Sequence, residues 1–210
     1  RPESSSSAND EPKVIHSLVL GSTETSLLKL IKAYSVMING GNEVDYSLIE
    51  KIQDRTGKTI YKRDNRQCKE CVYLDTDSAI YSIPTLKNEK KKLIDPATSY
   101  QMAYMLQGVV ERGTAAKARK IGKIMGGKTG TTNNSYDSWF VGFTPDLIVG
   151  VYIGFDSPKN LGKYETGASV ALPIFNDFMI EALVETPSTP FRVPADIKFV
   201  KIDRIAYVIG

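Results

Sequence analysis

The sequence predicts an α+β fold: an antiparallel β-sheet flanked by helices, with a small β insertion. Three observations carry this. The apolar runs 138–143 and 147–155, rich in Val, Ile and Phe, are separated by Thr144-Pro145-Asp146 and read as two strands joined by a tight turn. The segment before them, Met125-Gly126-Gly127-Lys128-Thr129-Gly130-Thr131-Thr132, has poor helix propensity and fits a preceding strand, which makes a three-strand meander with Lys128 on its first strand. Apolar residues recur at helical spacing in three other stretches, 24–39, the run after Asp95-Pro96, and 170–183.

At 210 residues and 41% apolar, the chain can bury a core and should hold one domain plus a small insertion. A net charge of +3 is too small for a nucleic-acid footprint, and Asn88-Glu89-Lys90-Lys91-Lys92 reads as a solvated loop, so no nucleic-acid partner is expected. The longest apolar run, 147–155, is broken by glycine and far short of a membrane span, and the N-terminus shows no signal-peptide pattern. Any anchor or export signal is therefore expected outside this chain.

Residues 1–13 are polar and read as a flexible lead-in. His16, among Val14, Ile15 and Leu18, fits a packed strand better than a catalytic base. In 24–39, Leu27, Leu28, Ile31, Tyr34 and Ile38 form an apolar stripe, Glu24 favours the positive end of the helix, and Gly40-Gly41 stops it. Residues 45–63 read as a β-hairpin with its turn at Thr56-Gly57, inside an insertion spanning 42–86. Asp95 and Pro96 supply a cap and a first helical residue, Met102, Met105, Leu106, Val109 and Val110 one face, and Gly113 the stop. Residues 162–167 form a loop, and Ile174, Phe175, Phe178, Met179 and Leu183 mark a helix packed on the sheet. Pro187, Pro190 and Pro194 keep the segment 186–210 extended, with a further strand or the start of another module over 197–209.

The chemistry concentrates at 125–132. Glycines permit close approach, so backbone N–H groups, threonine hydroxyls and the Lys128 ammonium can converge on one anion. The string satisfies two patterns. Gly122 to Thr129 matches the phosphate loop G-x-x-x-x-G-K-[ST], and Lys128-Thr129-Gly130 matches the K-T-G element of penicillin-recognising serine acyltransferases. A phosphate loop must leave a buried parallel strand and open a helix. The upstream run Ala115-Ala116-Lys117-Ala118-Arg119-Lys120-Ile121 is too charged for such a strand, and the residues after Thr129 are poor helix formers.

Other segments favour the second pattern. Gly127-Lys128-Thr129-Gly130-Thr131-Thr132, the run 137–146, Glu165-Thr166-Gly167 and Ala171-Leu172-Pro173-Ile174-Phe175 resemble the C-terminal half of the transpeptidase domain of class A penicillin-binding proteins. The resemblance continues upstream in Leu20-Gly21-Ser22, Ala33-Tyr34, Asn39-Gly40-Gly41, Gly108-Val109-Val110 and Gly113-Thr114-Ala115. It covers nearly everything from 14 to 203, with 14–185 as the C-terminal part of that domain. A nucleotide-binding protein remains a remote alternative.

The resemblance implies a penicillin-binding transpeptidase or serine β-lactamase-like fold and a serine-type D,D-transpeptidase that crosslinks peptidoglycan stem peptides ending in D-Ala-D-Ala. It assigns Lys128 to the electrostatics around the substrate carboxylate, the Thr129 and Thr131 hydroxyls to hydrogen bonds with that carboxylate, and Gly130 to close approach of the strand. The Thr131 N–H would be one oxyanion-hole donor. Lys128 and Thr131 are thus the catalytic candidates, and no cofactor or metal is implied. Expected partners are stem peptides, β-lactams, the remainder of the domain and cell-wall synthesis proteins, at the periplasmic face of the bacterial inner membrane. Either Trp139 or Phe140, which alternate on the next strand, could face the cleft, although a core role suits both.

Two of three family motifs are missing. Ser26-Leu27-Leu28-Lys29 spells S-x-x-K, but Ser26 starts a helix, where a hydroxyl caps, and the family's nucleophile lies far upstream. Ser7-Ala8-Asn9 spells S-x-N within the lead-in, whereas the family places that motif in a packed helical subdomain. The chain is therefore expected to be part of a larger or split polypeptide and inactive alone, with a non-catalytic cell-wall scaffold as the alternative. Cys68-Lys69-Glu70-Cys71 lies in a charged loop. Zinc would lack ligands, since His16 is the one histidine, and a redox C-x-x-C should open a helix. Outside the cytoplasm a local Cys68–Cys71 disulfide leads, with free thiols as the other possibility.

Overall fold

The computed structural model describes residues 24–64 and 90–201. Its centre is a three-stranded antiparallel sheet of β3 (Gly126–Thr131), β4 (Asp137–Phe143) and β5 (Ile148–Gly154), in that order, as the meander reading requires. A two-stranded hairpin, β1 (Lys51–Gln53) and β2 (Thr59–Lys62), stands apart from it. The helices are α1 (Leu27–Ile38), α2 (Pro96–Arg112) and α3 (Leu172–Ala182).

Register divides the sheet into two faces, because directly paired residues share a side. Thr129 pairs with Phe140 and Phe140 with Val151, while Lys128 pairs with Val141 and Val141 with Gly150. The Phe140 face receives α3. The rings of Phe140 and Phe175 meet edge-on at 4.7 Å, and a Cβ at Gly142 would run into the Phe175 ring. Phe140, Phe143 and Phe175 are fully buried, which stabilises the fold by roughly 1.5–3 kcal/mol per side chain. The opposite face receives α1. A Cβ at Gly150 would lie 2.8 Å from Leu27 Cδ1 and 2.9 Å from Ile31 Cδ1, so glycine there admits the helix. Ala103 and Leu106 of α2 close the core over Phe143 and Phe191.

Local chemistry sets the helix ends. Ser26 caps α1 by accepting from the Lys29 N–H at 3.3 Å, so the helix begins at Leu27, later than the 24–39 reading. Its far end is held by Ser99 of α2, whose hydroxyl donates to the Met37 carbonyl at 2.8 Å. Asp95 caps α2 through the Ala97 and Thr98 amides, with Pro96 at the first position as the sequence indicated. The chain leaves this core and returns at a narrow neck. Glu43 N–H donates to Lys91 O and Leu93 N–H to Gly41 O, both at 2.8 Å, around the bridge between Asn42 and Lys92.

Several expected faces are corrected. Leu28 on α1 and Met102 and Met105 on α2 are exposed, and the buried residues of α2 are Ser99, Ala103, Leu106, Gly108 and Val110. On the last helix Phe175, Met179 and Leu183 are buried as expected, but Ile174 and Phe178 face outward. That helix is also preceded by a π-helical turn, Gly167–Ala171, with Thr166 and Ser169 forming a capping box. Residues 197–201 form no strand, and the rest of the 197–209 expectation lies outside the described residues.

Candidate active site

β3 is an edge strand, and its geometry determines what it can offer. Thr132 N–H donates to Asp137 O at 3.0 Å, which extends the β3–β4 ladder by one pair beyond Thr131–Ser138. Hydrogen-bonded and non-bonded pairs alternate in an antiparallel ladder. Thr132, Gly130, Lys128 and Gly126 therefore bond to β4, and the N–H and C=O groups of Thr131, Thr129 and Gly127 point toward the open edge. No described strand occupies that edge.

The side chains complete the arrangement. The exposed Lys128 ammonium curls to the edge and donates to the Thr129 carbonyl at 2.6 Å. Thr129 and Thr131 lie on the opposite face from Lys128, each with a partner from outside the strand. Thr129 Oγ1 lies 3.1 Å from Thr114 Oγ1, just beyond α2. Thr131 Oγ1 accepts from the Gly167 N–H at 3.1 Å. Gly130 sits between the two threonines, and an added Cβ there would lie 3.3 Å from Trp139 Cβ.

One strip of surface thus carries an ammonium, a free-edge N–H and three hydroxyls. An anion could be held by charge-assisted hydrogen bonds along it. A carbonyl oxygen becoming anionic could be stabilised by the Thr131 N–H. A phosphate loop needs a helix N-terminus facing its ligand, and here Lys128 lies mid-strand with β-structure after it. The nucleotide-binding alternative is set aside on that ground.

Other candidates lie elsewhere. Ser26 is occupied as a helix cap. Phe140 belongs to the core, whereas Trp139 is half-buried on the Lys128 face against Tyr152, with ring centroids 4.5 Å apart, and the Tyr152 hydroxyl donates to Asp137 at 2.7 Å. Ser7, His16, Cys68 and Cys71 fall outside the described residues. Thr114 and Gly167 are the site residues that sequence reasoning missed. Both stand in segments that carried the resemblance, yet nothing local marks them as partners of β3.

This sheet, with its Lys-Thr-Gly strand on an open edge, is the architecture of penicillin-recognising transpeptidases. The penicillin binding protein transpeptidase domain family matches residues 2–180, and the chain belongs to that family. It is 51% identical over 199 residues to penicillin-binding protein 1A of Rickettsia typhi, an alignment covering 94% of this chain and 25% of that protein. The chain thus spans about a quarter of the length of such curated relatives. Penicillin-binding protein 1A from Haemophilus influenzae superposes with a TM-score of 0.69 at 29% identity, over 85% of this chain and 29% of that one. PonA1 from Mycobacterium tuberculosis superposes at 0.66 over 86% of this chain and 44% of its own, and at 19% identity shows the fold alone. No described helix is long and apolar enough to cross a membrane.

Proposed function

We propose that this chain supplies the substrate-binding strand of a peptidoglycan D,D-transpeptidase, with the nucleophilic serine contributed by a segment other than those here. The observation that carries this reading is the open edge of β3, which presents the Thr131 N–H and the Lys128 ammonium, with the Thr129 hydroxyl on the adjoining face beside Thr114. A stem peptide ending in D-Ala-D-Ala lies extended along that edge, its terminal carboxylate held by Lys128 and the threonine hydroxyls. The serine oxygen adds to the penultimate carbonyl carbon, and the carbonyl oxygen takes up negative charge toward the Thr131 N–H. A donor in that position is worth about 3 kcal/mol of barrier. Collapse expels D-alanine, its nitrogen taking a proton, and leaves an ester on the serine. An acceptor amine then attacks the ester, forms the crosslinking amide and releases the serine. β-Lactams enter as mimics of the dipeptide and stop at the ester. The domain works at the periplasmic face of the inner membrane beside other cell-wall synthesis proteins.

The test uses the protein that carries this chain together with the nucleophile. Lys128→Ala and Thr131→Val should each slow acylation by fluorescent penicillin at least tenfold, about 1.4 kcal/mol. Near-normal acylation of both variants would sink the assignment. The chain alone should take up no label, and an adduct mapped to Ser26 would overturn its reading as a cap.

A further inference from the structure

Gly167 stands where the chain coming from β5 turns into the last helix, and it touches β3 in two ways. Its N–H donates to Thr131 Oγ1 at 3.1 Å. Its α-carbon also presses on the backbones of β3 and its neighbour β4: an added Cβ would run into the Trp139 carbonyl oxygen of β4 and would lie 2.8 Å from Gly130 O of β3. Gly167 is buried, and both neighbours are main chain, so neither can swing aside as a flexible side chain would. Only a residue without a side chain allows this seat.

The loop that brings Gly167 there is stapled beside the same strand. Leu161 N–H donates to Ser135 O at 2.9 Å, and the Asn160 amide donates to Asn134 O, both acceptors in the turn that follows Thr131. At its other end, Ser169 Oγ accepts from Thr166 N–H at 2.7 Å and donates to Glu165 at 3.0 Å, which fixes the turn just before and after Gly167. Tyr164 is held at φ 69°, a conformation unfavourable for a bulky residue, so the loop keeps this path against a local cost.

Both contacts act on Thr131 and Gly130. When the Gly167 N–H occupies Thr131 Oγ1, the hydroxyl becomes an acceptor there and its own proton is directed elsewhere. The backbone contact keeps Gly130 and Trp139 from shifting and so fixes the direction of the Thr131 N–H at the open edge. We propose that Gly167 is a positioning residue, acting through Thr131, that holds the donor and hydroxyl of the Lys-Thr-Gly strand in their reactive placement. This rests on the transpeptidase reading for its kinetic consequence but not for its structural one.

The experiment uses the nucleophile-bearing protein and its Gly167→Ala variant, with Ser169→Ala as a gentler variant that loosens the turn without adding bulk. Binding and acylation by fluorescent penicillin are separated by stopped flow, and amide hydrogen exchange is followed by mass spectrometry. The acylation rate constant should fall about tenfold for Gly167→Ala with the initial binding constant changed less, because a small misplacement of a donor acts mainly on the barrier. Ser169→Ala should show the same split at smaller size. Exchange should quicken over 126–132 and stay unchanged over β5. In a Thr131→Val background, Gly167→Ala should cost much less than in the parent.

Unchanged exchange over 126–132 in both variants overturns the proposal, whatever the activity. An undiminished cost in the Thr131→Val background overturns the part assigned to the hydroxyl, since that variant loses only the Oγ1 contact and keeps the backbone N–H at position 131. If the parent protein is not acylated at all, the transpeptidase reading fails by itself, and the exchange result still decides the positioning role.

Discussion

The hydroxyls of Thr114 and Thr129 lie 3.1 Å apart, so the residue that follows α2 and its Gly113 stop reaches the middle of the Lys-Thr-Gly element. Two hydroxyls sharing one hydrogen bond leave a proton free to point outward, and the shared bond polarises it. Thr114→Val removes that partner. Initial penicillin binding by the nucleophile-bearing protein should weaken about fivefold, near 1 kcal/mol, and Thr114→Ser should restore it. Equal binding by Thr114→Val and the parent would show that the pair plays no part in holding the carboxylate.

Ser138 offers a prediction about stability. It is fully buried opposite Thr131, and its hydroxyl has no hydrogen-bond partner among the described residues. A buried polar group without a partner carries a desolvation cost of about 1–3 kcal/mol. Ser138→Ala should therefore leave stability unchanged or raise it, by up to roughly 1 kcal/mol after the small packing loss, a shift of about 2–4 °C in a domain of this size. A clear fall in the thermal midpoint would reveal a partner for the hydroxyl.

The hairpin turn should respond to acid. Asp54 Oδ1 accepts from the Thr56 hydroxyl at 2.6 Å, the Thr56 amide at 2.8 Å and the Lys58 amide at 3.0 Å. The Thr56 hydroxyl first, then these amides, hold the carboxyl below its ordinary value. A folded pKa below the unfolded one means that the unfolded turn binds more protons between the two. The stabilisation is thus present above the unfolded value, about 3.9, and is lost as pH falls through the lower folded value. Amide shifts of Thr56 and Lys58 followed by NMR should hold steady down to about pH 4 and move below it. Asp54→Asn should abolish that transition, and a transition that survives would assign it to another group.

For the Cys68-Lys69-Glu70-Cys71 motif, protein exported to the periplasm should carry the two cysteines oxidised to each other, since that compartment maintains disulfides. Peptide mass mapping without reduction reads this directly. Two freely alkylated thiols would refute the pairing.

How far the sequence carried the fold follows from where its signals are local. The meander was legible because alternating Trp139, Phe140 and Val141, the Thr144-Pro145-Asp146 turn and the run from Ile148 all lie within one stretch of chain. Asp95-Pro96 announced α2 because capping is decided by neighbouring residues. Burial faces were less legible. The last helix is apolar around much of its circumference, so Phe175 and Met179 turn inward while Ile174 and Phe178 do not only because the sheet lies on one side. The site divided in the same way. Lys128, Thr129 and Thr131 were visible as a motif, whereas Thr114 and Gly167 become partners of β3 only when α2 and the π-helical turn fold against it.

The neck at Asn42 and Lys92 has a consequence for how such a domain can diversify. The chain departs after α1 and returns before α2 through adjacent points, pinned by Gly41, whose missing side chain lets the Ile94 carbonyl sit against its backbone. Whatever lies between is joined to the sheet by a closed doorway, and closing a longer or shorter loop there changes the free energy only by about 0.6 kcal/mol per doubling. Evolution can therefore lengthen, shorten or replace the hairpin module without moving Lys128 or Thr131. An engineer could use the same doorway to graft a reporter or a binding peptide, keeping Gly41 and the residues that pair across it.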